Sequence, residues 1–173
     1  MPGPHTTASP PDPLAGSKGL DLLVGRWRGE GVADFPTIER SVYAEELTVE
    51  WDADRELYCY LRTARLADGS ASHRETGFIA RLDDGTVQLW NAQGNGRTEV
   101  LRGSVEDDPE PGACVIRLEG VEFGNDPRML GSSRELRVAG DSIRYRMSMA
   151  TTTAPSPDAR PHLAGELARI GPA

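Results

Sequence analysis

Long apolar runs are missing from this sequence, and so is any cluster of basic residues. No stretch approaches the roughly 20 consecutive apolar residues a bilayer crossing needs, so no membrane partner is expected. The net charge of -8, with Arg scattered and far commoner than Lys, excludes a nucleic-acid surface, which would be basic and patched. Cysteine is scarce. Cys59 and Cys114 lie in apolar strand-like runs with no short spacing, so neither a zinc site nor a disulfide framework is expected. Both read as small buried hydrophobes. Histidine is nearly as rare, at His5, His73 and His162, and no second His or paired carboxylate completes a zinc or non-haem iron set. There is no Gly-x-Ser-x-Gly elbow, P-loop or dinucleotide fingerprint. Glu45 and Glu46 are neighbours on a strand, so they face opposite ways and form no catalytic dyad.

What is present is a run of short alternating segments. Residues 1–17 carry Pro2, Pro4, Pro10, Pro11 and Pro13 among small residues and read as a disordered lead. They lack the basic and apolar regions of a signal peptide, which makes the cytoplasm the expected location. Residues 18–173 read as one domain, long enough to bury a core. Leu20 to Val24 suggests one helical turn plugging a barrel end. Strands at period 2 follow at 42–51, 57–63, 73–82, 86–91, 98–101, 114–118, 133–138 and 142–149. The segment 162–170 reads as a last strand or a short helix. About ten strands with no crossover helix predict an all-β antiparallel barrel.

Gly25-x-Trp27-x-Gly29-x-Gly31, running into Phe35-Pro36-Thr37-Ile38, opens the barrel. Glycines beside a large aromatic on one strand mark a tight bend, or a backbone pressed against a ligand or another strand. Trp27 reads as core or rim packing and Thr37 as a cap on a strand-end backbone group. Arg74 and Glu75 read as a solvated or cross-strand pair worth under about 1 kcal/mol, and His73 as structural. His162 stands alone after the irregular stretch 151–161. A lone His is commonly a surface or hydrogen-bonded residue, yet a haem needs only one protein ligand and an apolar slot.

Several spaced motifs together resemble the nitrobindin family. They are the Gly25–Gly31 pattern, Phe35-Pro36-Thr37-Ile38, Tyr43-x-Glu45-Glu46, His73-x-Glu75-Thr76-Gly77-Phe78, and Met149-Ala150 with His162-Leu163-x-x-x-Leu167. The resemblance covers about residues 20–170. It implies a ten-stranded barrel, lipocalin- or fatty-acid-binding-protein-like, holding one ferric haem b per subunit, with His162 as the proximal iron ligand and Thr37 lining the haem site. It further implies small-molecule partners, nitric oxide and peroxynitrite, with peroxynitrite isomerised to nitrate by the Lewis-acid iron and no protein acid or base needed. A homodimer is one assembly left open. Two features depart from the family pattern: the connection from Met149 to His162 is about three residues longer, and Gln93 stands where a family histidine often precedes a turn. The alternative is a haem-free carrier of fatty acids or other lipophilic ligands. That reading expects a deep apolar lumen with an interior Arg or Tyr for a carboxylate; the haem reading expects an apolar cleft at one edge with His162 in it.

Overall fold

The computed structural model describes residues 19–172, so the Pro-rich lead and His5 lie outside the described residues. Ten antiparallel strands follow a single 3-10 turn at Leu20–Leu23. They are β1 (Gly25–Phe35), β2 (Ile38–Asp52), β3 (Leu57–Leu66), β4 (Ala71–Arg81), β5 (Val87–Gln93), β6 (Thr98–Asp107), β7 (Ala113–Gly124), β8 (Met129–Ala139), β9 (Ser142–Thr151) and β10 (Arg160–Gly171). Each pairs with its chain neighbours, and β1 pairs with β10 to close the barrel. Closure leaves no free sheet edge. The strands run longer than the apolar alternation suggested: β6 and β7 continue through polar residues whose backbones still pair. The segment 162–170 is strand, held between β1 and β9.

One half of the barrel is an apolar core. Trp27, Leu47, Val49, Leu101, Ile116, Val138, Ile143 and Leu167 are buried there, and the 3-10 turn covers its end with Leu20 and Leu23. The Trp27 indole donates to the Leu23 carbonyl at 2.8 Å, which ties that plug to β1. The opening glycines now have reasons. A Cβ on Gly29 would fall 1.9 Å from the Glu166 carbonyl oxygen of β10, so no side chain fits where the barrel closes. A Cβ on Gly31 would sit 2.5 Å from the Tyr43 hydroxyl and 2.6 Å from that of Tyr145, so Gly31 makes room for two interior phenols.

Two readings need correction. Cys114 is buried, but Cys59 is half-buried on the outward phase of β3, between inward Tyr58 and Tyr60. Arg74 and Glu75 do not pair: as strand neighbours they face opposite ways, Arg74 to solvent and Glu75 into the barrel at 2% exposure. His73, read as structural, sits at the barrel mouth beside Glu75.

Candidate functional site

The site starts with a slip in register. Against β9, Pro161 pairs with Ser148 and Leu163 pairs with Met147, so His162 is an extra residue without a partner on that strand. Leu163, Gly165 and Leu167 hold the inward phase of β10, and Ala164, Glu166 and Ala168 are exposed. Simple alternation would put His162 outside with the even-numbered residues. A bulge re-aims a side chain, and His162 lines an interior cleft of about 330 Å³ at the end of the barrel opposite the plug.

Burial, helped by the positive charges of Arg97, His73 and Arg62, pushes the His162 imidazole down to a pKa of about 4. It is therefore neutral at physiological pH and keeps a lone pair. Its Nδ1 is buried and has no hydrogen-bond partner. Such an orphan costs about 1–3 kcal/mol and calls for an explanation. The Phe35 ring meets the imidazole edge-on, 5.4 Å between centroids at 80°, and fixes its plane. A neutral, oriented, unpartnered imidazole in a cleft is the form that ligates a metal. Ile38, Ala64, Leu66, Leu163 and the thioethers of Met129, Met147 and Met149 supply apolar walls, which suits a flat hydrophobic group bearing a metal. Thr37 lies exposed in the two-residue turn between β1 and β2 and is not among the cleft-lining residues, whereas Phe35 and Ile38 on either side of that turn reach the site. His73 faces the cleft from β4, its Nε2 3.5 Å from a Glu75 carboxylate oxygen, and Gln93 lines it from β5.

The cleft floor is a charged network. Arg62 holds Glu45 through two bonds of 2.6 and 2.9 Å, and its Nη2 also reaches the Tyr145 hydroxyl at 2.9 Å. Arg134 holds Glu75 through bonds of 2.8 and 3.0 Å and also binds Glu99. Asn91 donates to Glu75 at 3.0 Å and to Glu99 at 2.8 Å, and accepts from the Tyr60 hydroxyl. Arg62, Glu75 and Arg134 line both the cleft above and the apolar lumen below, so the network divides the barrel interior in two. The lumen has interior Arg and Tyr, as the carrier reading expected. Yet its free space is only about 50 Å³, and both guanidiniums are already taken by the chain's own carboxylates. Each network member sits at an inward position of its strand. That polar break in an apolar phase was the available signal, and the sequence reading did not use it for Glu45, Arg62, Glu75, Asn91, Glu99 or Arg134.

The family model of the THAP4-like, heme-binding beta-barrel domain matches residues 17–169. The chain belongs to this family. The motif resemblance to nitrobindins is thus a family membership. A protein named peroxynitrite isomerase Rv2717c from Arabidopsis thaliana is 30% identical over 151 residues, 87% of each chain. A peroxynitrite isomerase of Nocardia farcinica is 34% identical over 154 residues, 87% of this chain and 88% of its own length. The crystal structure of Rv2717c from M. tuberculosis superposes with a TM-score of 0.81 at 27% identity, covering 90% of this chain and 98% of that one.

Proposed function

We propose that this chain binds one ferric haem b through His162 and isomerises peroxynitrite to nitrate, with nitric oxide as a second small ligand. The observation that carries the proposal is the His162 side chain: turned inward by a bulge, kept neutral by burial, and left with an unpartnered buried nitrogen in an apolar-walled cleft. The names of relatives at about 30% identity support the reaction. Bound haem would supply a Lewis-acid iron that draws charge from the peroxynitrite oxygens. The chain's own part is to bind, orient and shield. Phe35 fixes the imidazole plane, the apolar walls exclude water, and the charged floor limits how deep a ligand can enter. Thr37 belongs to the proposal as an exposed turn residue beside the cleft, not as one of its walls.

The test is a haemin titration of wild type and His162→Ala followed through the Soret band, then peroxynitrite decay with nitrate yield. Saturable one-to-one binding and accelerated nitrate formation are expected in wild type. The variant is expected to lose the wild-type ferric spectrum while its apoprotein stays as stable as wild type within about 1 kcal/mol, because relief of the orphaned Nδ1 offsets the ring packing lost against Phe35. An unchanged ferric spectrum in His162→Ala refutes the ligand assignment.

A further inference from the structure

One cation at the mouth of the cleft is not used up. Among the charged side chains that line it, Glu75 and Glu99 are set against Arg62 and Arg134 in the floor, and His73 leans on Glu75 at 3.5 Å. Glu39 is exposed on β2, across the mouth from β6. Arg97 remains. It stands immediately before β6 on the cleft wall, with its side chain 15% exposed. Its partner is Asp126, in the turn between β7 and β8, which accepts from Nε at 3.2 Å and from Nη2 at 2.7 Å. That carboxylate is not for Arg97 alone: exposed Arg128 donates to it at 2.8 and 3.0 Å. Two guanidiniums therefore share one carboxylate, and the Arg97 Nη1 makes no hydrogen bond to the described residues.

The guanidinium is also held in place before any ligand arrives. Arg97 closes a tight hairpin, in which the Gln93 N–H donates to its carbonyl at 2.9 Å and its own N–H donates to the Asn95 side chain at 3.0 Å. Asn125, next to Asp126, donates to the Gly96 carbonyl at 3.1 Å, so the two turns are laced together twice. A cation fixed in this way loses less side-chain freedom on meeting an anion than a free arginine would. The mouth thus offers apolar walls and, at one point of its rim, an unused arm of a pre-aimed guanidinium. Its complement is an apolar body that carries an anion at its edge.

We propose that Arg97, aimed by Asp126, binds a haem propionate at the rim and so sets which edge of the ring stays at the mouth. This inference rests on the haem reading above. Both propionates of a haem leave one edge of a flat apolar ring, and both are ionised near neutral pH. The planar fork of arginine matches a carboxylate better than a point charge does. Arg128 matters because it takes part of the charge of Asp126, which leaves Arg97 attractive to a second carboxylate.

The experiment compares haemin with its dimethyl ester, in which neither propionate carries charge, and metal-free protoporphyrin IX with its own dimethyl ester. Each is titrated by absorbance against wild type and Arg97→Gln at low salt and neutral pH. Wild type should bind each free acid about tenfold more tightly than its ester, the lower end for a charge-assisted hydrogen bond because the rim is open to water. The ratio should shrink toward one at about 1 M salt. In Arg97→Gln the free acids should lose about tenfold in affinity, while the esters stay within about twofold of wild type. The metal-free pair reads the propionate contact without an iron–imidazole bond. Equal affinity of wild type for acid and ester overturns the rim assignment whether or not the variant folds, and so does a preference that survives in folded Arg97→Gln. Either result leaves the haem reading standing. Absence of saturable haemin binding to wild type overturns both.

Discussion

Arg134→Met probes the network that floors the cleft. The substitution keeps the stem of the side chain and removes a guanidinium that is 7% exposed. It strands Glu75, which loses two bonds of 2.8 and 3.0 Å, and Glu99, which loses its only buried cationic partner among the described residues. Removing one partner of a buried ion pair costs about 3–5 kcal/mol, because the other charge remains buried and uncompensated. For a domain of this size each kcal/mol lowers Tm by about 2–4 °C, so a fall of roughly 6–20 °C is expected near pH 7. The pH dependence gives a sharper check. In wild type the folded-state pKa values of Glu75 and Glu99 are depressed. Their contribution is present above the unfolded value, 4.5 for an ordinary glutamate, and is lost as pH falls through the folded values. Without Arg134, burial dominates and raises the folded pKa values, so the stranded acids favour folding below the unfolded value and oppose it as pH rises. The gap between variant and wild type is therefore widest near neutrality and narrows toward about pH 4. Urea unfolding of the apoproteins at both pH values measures it. A gap under about 1 kcal/mol, or one that does not change with pH, refutes the network account.

Two further outcomes follow from the opening strand. Gly31→Ala places a Cβ 2.5 Å from the Tyr43 hydroxyl, and since that phenol is held at 2.8 Å from the Tyr145 hydroxyl, the variant should lose about 1–3 kcal/mol in denaturant midpoint with an unchanged m-value. Trp27→Phe removes the 2.8 Å bond to the Leu23 carbonyl and weakens the stacking of the Arg169 guanidinium, which lies 4.0 Å from the ring centroid. A loss of about 2–3 kcal/mol by the same assay is expected, and a loss under about 0.5 kcal/mol would mean the 3-10 plug is not held through Trp27.

Much of the barrel was readable because period-2 alternation reports which face of a strand is inside. Tyr43, Leu47, Val49 and Trp51 did fall on one face of β2, and Glu45 and Glu46 did part to opposite faces. The same alternation held the network in plain view: Arg62 continues the inward phase of Tyr58 and Tyr60, and Asn91 that of Val87 and Leu89. Those residues passed unnoticed because a charged side chain is ordinarily assigned to solvent, and only the closing of distant strands supplies its partner. Glu75 and Arg134 lie 59 positions apart. The place of His162 was unreadable for another reason. A one-residue bulge reverses the face of a side chain without leaving a mark in composition, so strict alternation from Leu163 and Leu167 would have sent the imidazole outward.

The bulge and the glycines solve one geometric problem from two sides. A barrel closed by β1 against β10 needs backbone contact at Gly29, and the same seam must deliver an imidazole from β10 into the interior. Gly31 and Gly165 face each other across that seam, and a Cβ on either would collide with the Tyr145 hydroxyl. Absent side chains there let Tyr145 reach Glu45 at 2.5 Å and Arg62 at 2.9 Å, which seats the upper edge of the floor. The floor then blocks the lumen and turns the remaining interior into a cleft at the mouth, where the bulge has put His162. A lipid carrier needs the opposite arrangement, an open lumen with an unmatched cation inside. The glycine motif that looked like a mere corner thus sets which half of the barrel is left free to bind.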